Sequence, residues 1–260
     1  MSESTSKLKG LLWVSLGLLA AWLAVAGLPF FAKRVPWGLE TKLAEQVSKF
    51  NEKKACHSSA GDAALLEMVD RLRLAPQSPL VFPVHVQIIK GETQNAYASL
   101  GGEIFIYEGL FAELQSADEL AGVLAHELEH VQKRHIMEGM LNQLFSAGVV
   151  KFLLSGDGAS AIELANTLSQ LQFSRSQEAE ADEAGLKRLQ TAQIDPIGFQ
   201  HFFERLQKEN RYPAILSDHP SPKNRADRVR AYRVEAPRPA LSSAQWEALK
   251  QICSLNETRK

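Results

Sequence analysis

The stretch Ala125-His126-Glu127-Leu128-Glu129-His130-Val131 decides the reading of this chain, because it fits His-Glu-x-x-His inside a segment of helical periodicity. In a helix, His126 and His130 project from one face a turn apart, so both imidazoles can reach a single ion. Glu127 sits beside them, where a carboxylate can take a proton from a metal-bound water. Ser116 with Glu119 three residues on reads as a capping box, and Leu120, Leu124, Leu128 and Val131 recur at helical spacing. The alternative is a surface helix carrying two solvated histidines. The apolar flanks Val123, Leu124, Ala125 and Val131 argue for burial instead.

A catalytic zinc takes three protein ligands and leaves the fourth position open, so two histidines need a partner. The extended motif that ends in a third histidine needs glycine and histidine where Lys133 and Ile136 stand, and is excluded. His135 falls one residue short of that place and reads as a hydrogen-bonding or exposed histidine near the helix end. A carboxylate from a second helix remains, and Ser174-Arg175-Ser176-Gln177-Glu178-Ala179-Glu180-Ala181-Asp182 supplies it. Glu178 is the expected ligand. Glu178 and Asp182 share a helix face, so one can bind the ion while the other, Asp182, hydrogen-bonds a ligating imidazole. Glu180 and Glu183 fall on other faces and read as solvated acids.

The pairing of His126-Glu127-x-x-His130 with Ser174-Arg175-x-x-Glu178-x-x-Ala181-Asp182 resembles the gluzincin family of the CAAX prenyl protease, the HtpX heat-shock protease, BepA and the Oma-type proteases. Further segments agree over about residues 60 to 235: Asn95 to Gly102 followed by Glu103 to Leu110, His130-Val131-x-x-Arg134-His135, and Asp218-His219-Pro220-Ser221 with Arg225. The resemblance implies an α+β, mainly helical zincin domain with a small antiparallel sheet, one Zn2+ per chain on His126, His130 and Glu178, and polypeptide substrates. Zinc lowers the pKa of its water from about 15.7 toward about 7, and Glu127 would accept that proton and pass it to the leaving amine. His219 and Arg225 are the implied donors to the developing oxyanion. The late histidine can also occupy the metal's open position in a resting state. Without the resemblance, His219 beside Pro220 reads as a loop histidine and Arg225 as a helix-surface cation.

A peptidase holds its substrate extended, and a free strand edge does so through main-chain hydrogen bonds. The hairpin from Asn95 to Tyr107 is the expected edge, with Asn95, Ala96, Ala98, Gly101 and Gly102 as candidate contacts. Gly101-Gly102 reads equally as the hairpin turn. Val84, Val86 and Ile88 alternate with His85 and Gln87, which predicts a third strand with His85 on its polar face. The rival reading is a noncatalytic quality-control protein whose zinc is structural and closed by His219. The lack of cysteine near the motif and the retention of Glu127 oppose it. A zinc hydrolase for a non-peptide amide stays open.

Around this domain, 260 residues leave room for one membrane segment. Residues 10 to 32 carry no charge and are dominated by Leu, Ala, Val, Trp and Phe, long enough to cross a hydrocarbon core of about 30 Å. The expected division is a flank (1–9), a transmembrane anchor (10–32), a juxtamembrane helix or linker (33–58) and the metallopeptidase domain (59–260). Ala24-Val25-Ala26 keeps a cleaved signal peptide, and thus secretion, as the alternative. Lys7 and Lys9 before the segment and Lys33 and Arg34 after it leave its orientation open. A single short anchor is too small for the intramembrane chamber of a prenyl-protein protease, and no helical-repeat domain is expected within these residues. Net charge is -1 with no basic cluster, so nucleic acid is not an expected partner.

Cys56 and Cys253, the two cysteines, lie near the ends of the soluble part, where termini often meet. A disulfide there would suit an extracytoplasmic compartment; two free thiols in a reducing one are the alternative. Periodicity predicts helices through Leu39 to Phe50, Leu65 to Leu72, and after Asp195-Pro196, Ser221-Pro222 and Ser242. Leu141 to Ser155 reads as a core or membrane-facing helix beside the site.

Overall fold

The computed structural model describes residues 30–73, 80–147, 165–208 and 231–254, with Trp13, Ser15, Gly17, Gly27, Ile215, His219, Arg228 and Val229. In chain order its elements are α1 (Trp37–Glu52), α2 (Ser59–Arg73), β1 (His85–Ile89), β2 (Ala96–Ala98), β3 (Glu103–Tyr107), α3 (Ala117–Gln132), α4 (His135–Ala147), α5 (Arg175–Thr191), α6 (Ile197–Lys208) and α7 (Ser243–Lys250). This is the mainly helical α+β architecture expected. The anchor expected over 10–32 lies largely outside the described residues, as do the helix at Ser221-Pro222 and the segment 148–155. Among the described residues no helix is long and apolar enough to cross a membrane.

Helix α3 is the centre. Ser116 caps it by accepting from the Glu119 amide at 3.2 Å. The reciprocal half of the expected capping box is absent, because the Glu119 carboxylate takes the Gln115 amide and Arg205 instead. Every residue from Glu119 to Val131 is buried. Helices α5 and α6 and strand β2 pack around it. Helix α5 lies close because Gly185 has no side chain: a Cβ there would stand 3.3 Å from the Ala125 carbonyl and the His126 amide. Arg188 of α5 is buried and bonds Glu129 of α3 through Nε at 2.8 Å, while its Nη1 donates to the Leu72 carbonyl at 3.0 Å. Removing either member of such a pair would strand a buried charge.

The three strands form a mixed sheet of order β1-β3-β2, and this corrects the antiparallel sheet expected. β2 and β3 are antiparallel, but β1 runs parallel to β3, pairing His85 with Glu103 through Ile89 with Tyr107. Successive strands alternate in direction, so β1 is parallel to whichever strand sits two along. Ile104, Phe105 and Ile106 are all buried, which suits β3 to the centre, covered on both faces. The outer edge of β1 is covered by Lys54 to Cys56, with the Cys56 amide on the Ile88 carbonyl at 2.8 Å. Between β2 and β3 the chain turns through Gly101 and Gly102 at φ 70 and 82, the left-handed region that favours glycine.

Helix α1 is bolted to the end of α3. Glu40 accepts from the Gly101 amide at 3.1 Å and pairs with Arg134 at 2.9 Å, and Arg134 also donates to the carbonyls of Ala32 and Val35. Cys56 and Cys253 are joined by a disulfide, and α7 packs on α2. The bond spans 197 residues of sequence. Replacing both cysteines by serine is expected to remove about 2–5 kcal/mol, because the unfolded chain regains the entropy of so long a loop. Guanidinium unfolding of the oxidised chain and the double variant measures this, and coincident midpoints would contradict it.

Candidate metal centre

Helical spacing places His126 and His130 on one face of α3, and α5 brings Glu178 and Asp182 opposite them. Ser174 and Gln177 start α5 with a complete capping box, which sets Glu178 in the first turn facing inward. His219 arrives from a segment distant in sequence. His126, His130, Glu178 and His219 each offer one ligand atom, all within 4.8 Å of one another and all buried.

The distances fit a tetrahedral ion. His126 Nε2 stands 3.0 Å from His130 Nε2 and 3.1 Å from His219 Nδ1. The Glu178 carboxylate is 3.1 Å from His219 Nδ1, 3.4 Å from His130 Nε2 and 3.5 Å from His126 Nε2. Donors held about 2.0–2.1 Å from one zinc stand roughly 3.3 Å apart at the corners of a tetrahedron. Converging nitrogen lone pairs make poor hydrogen-bond partners for one another, and the buried Glu178 Oε2 has no hydrogen-bond partner among the described residues. The nitrogen and carboxylate donors suit zinc.

Electrostatics point the same way. Burial pulls the His126 imidazole down, but Asp182 and Glu178 outweigh it and push it up to about 10. Burial holds His130 well below its usual range. For Glu178, burial is outweighed by the facing imidazoles of His126, His130 and His219, which hold its carboxyl far below the usual range. Three carboxylates, Glu127, Glu178 and Asp182, thus favour positive charge at this point, and a divalent ion supplies it where protons would oppose one another.

Asp182 Oδ1 lies 3.0 Å from His126 Nδ1, behind the ring. Glu127 Oε2 accepts the Ala98 amide at 2.8 Å, and its Oε1 is 3.4 Å from His219 Nε2. Burial raises the Glu127 carboxyl above its usual range, against the opposing pull of His219 and His126. Ala96 and Ala98 lie on β2, whose amide contact reaches Glu127. Asn95 is buried at its start, its carbonyl accepting the Tyr107 amide at 3.0 Å. Gly101 and Gly102, by contrast, meet Thr41, Ala44, Trp37 and Pro83 at the turn against α1. Arg225 lies outside the described residues.

The sequence predicts a hydrogen-bonding or exposed histidine near the helix end at position 135. It is buried, with Nδ1 3.1 Å from His130 Nδ1. Helix α3 ends at Gln132, Arg134 turns left-handed at φ 65, and His135 opens α4. That break returns the ring to the metal side, where a continuous helix would carry it away. Glu180, read as solvated, is half exposed and pairs with Lys133 at 3.2 Å. The one signal for His135 in the sequence is the Arg134-His135 pair within the resembling segment.

Two histidines of one helix, a glutamate of the next and a carboxylate held against a strand edge define the centre of a zinc metallopeptidase. The chain belongs to peptidase family M48, whose sequence profile matches residues 62–233. It is 31% identical over 178 residues to the beta-barrel assembly-enhancing protease of Escherichia coli, covering 59% of this chain and 37% of that one. It is 33% identical over 157 residues to the metalloprotease LoiP of Escherichia coli, covering 57% and 62%. With the mitochondrial metalloendopeptidase OMA1 of Schizosaccharomyces pombe it shares 32% over 179 residues, covering 64% and 50%. The chain spans about two fifths of the length of the beta-barrel assembly-enhancing proteases it matches.

Removing the carboxylate behind His126 by Asp182→Ala is expected to weaken zinc binding about 10–100-fold, because the ring loses the partner that orients it. Competition with a zinc-binding dye reads this, and an unchanged affinity would remove Asp182 from the site.

Proposed function

We propose that this chain is a membrane-anchored zinc endopeptidase that hydrolyses peptide bonds in unassembled, misfolded or membrane-associated proteins. The single observation that supports the reading best is the Ala98 amide donating to Glu127, which ties the carboxylate next to His126 to the edge of β2. His126, His130 and Glu178 would hold the zinc. Bound there, zinc lowers the pKa of water and polarises the scissile carbonyl. Glu127, with its raised pKa, accepts the proton and delivers it to the leaving amine.

The edge of β2 suits an extended substrate. Asn95 and Ser99 bond to β3 through Tyr107 and Glu103, so by alternation the main-chain groups of Ala96 and Ala98 face away from β3. The quality-control substrate class rests on the relatives' names and the resemblance. An extracytoplasmic location is in keeping with the Cys56–Cys253 disulfide. Arg225 is assigned to the oxyanion by resemblance.

One observation favours a second, resting state of the same enzyme. His219 Nδ1 occupies the fourth corner of the cluster, and its neighbour Ile215 donates its amide to the Gln94 carbonyl beside β2 at 3.3 Å. In this state His219 closes the site, and in the active state it turns to the oxyanion.

Glu127→Gln is expected to keep zinc and lose about 10²–10⁴-fold in cleavage of an unfolded model protein, the usual worth of a general base. Equal cleavage by the variant would discard Glu127 as the base. His219→Ala is expected to change cleavage while retaining zinc: a rise marks the closing role, and a fall of about 10²–10³ the oxyanion role. Loss of zinc from that variant would refute both.

A further inference from the structure

His130 turns Nε2 toward the cluster, 3.0 Å from His126 Nε2 and 3.4 Å from Glu178. A neutral imidazole that offers Nε2 to a metal carries its proton on Nδ1, and a buried N–H there needs an acceptor. For His126 the group behind the ring is the carboxylate of Asp182 at 3.0 Å. For His130 it is another imidazole: His135 Nδ1 stands 3.1 Å from His130 Nδ1.

Donor and acceptor roles then follow one another. His135 can accept only with Nδ1 unprotonated, so its own proton sits on Nε2. That nitrogen faces Glu180 Oε2 at 3.6 Å, and Glu180 in turn meets Lys133 Nζ at 3.2 Å. Phe173 packs over the pair, with ring centroids 3.9 Å from His130 and 6.2 Å from His135. An apolar ring on that side leaves His135 as the polar partner of the His130 N–H.

We propose that His135 is a positioning residue for the zinc: its unprotonated Nδ1 accepts the His130 N–H and fixes the tautomer and ring plane of that ligand. The two histidines of the motif are therefore held differently, His126 by a buried anion and His130 by a neutral ring whose far nitrogen faces the protein surface. This rests on the reading of His130 as a ligand through Nε2. Zinc affinity is read without hydrolysis, so failure here is distinguishable from failure of the peptidase reading.

Asparagine and leucine are nearly alike in shape, and asparagine alone places an acceptor where His135 has Nδ1. Zinc affinity of the full chain, measured by chelator competition, is expected to fall about 10–100-fold in His135→Leu and to stay near that of the unaltered chain in His135→Asn. Equal affinity in all three chains, or an equal loss in both variants, would overturn the proposal. Should the leucine variant not fold, imidazole nitrogen NMR of the unaltered zinc-loaded chain decides. An unprotonated Nδ1 with a protonated Nε2 on His135 supports the proposal, and the reverse overturns it.

Discussion

Helix α5 must lie against α3 closely enough for its carboxylates to meet the motif's imidazoles, and the rest of the structure is arranged around that contact. Glu178 and Asp182 are wholly buried, a state that carboxylates reach only when paired with cations or hydrogen-bond donors. Gly185 permits the approach by leaving the backbone of Ala125 and His126 uncovered. Six residues along from Asp182, Arg188 reaches across to Glu129, so charge is paired twice along the same interface. The interface is thus unusually polar for a core, and its geometry is specified by hydrogen bonds as well as by packing.

Around this contact the centre is built in layers. Atoms that could hold an ion come from His126, His130 and Glu178, with His219 at the remaining corner. Behind them stand Asp182 and His135, and in front of them Glu127 is tethered to β2 through the Ala98 amide. The Glu127 carboxylate therefore depends on the sheet for its position. A buried carboxyl with a raised pKa is a better proton acceptor at neutral pH than a solvated one, provided it is held where the proton is released.

The sheet and the centre are in turn tied to the N-terminal side of the chain. Glu40 joins the Gly101 turn to Arg134, and Arg134 donates to the Ala32 and Val35 carbonyls where the chain enters α1. The left-handed Arg134 is what allows α3 to end and His135 to return toward His130. Residues expected as a juxtamembrane linker hence support the turn that shapes the site.

Local periodicity settled a large share of this in advance. A repeat of 3.6 residues puts His126 beside His130 and Glu178 beside Asp182 in any helix, and capping residues at Ser116 and Ser242 mark where helices begin. Those features are properties of a few neighbouring residues and survive translation from sequence to structure. Tertiary structure decided what depends on distant segments meeting. The position of β3 beside β1, which makes the sheet mixed, follows from which strand can be buried on both faces. The arrival of His219 at the cluster and the closure of Cys56 on Cys253 join residues far apart in the chain. His135 turned inward because Arg134, held by Glu40, broke the helix that its spacing alone would have continued. Periodicity acts within one element, whereas strand order, chain closure and helix breaks are set by burial and charge pairing between elements.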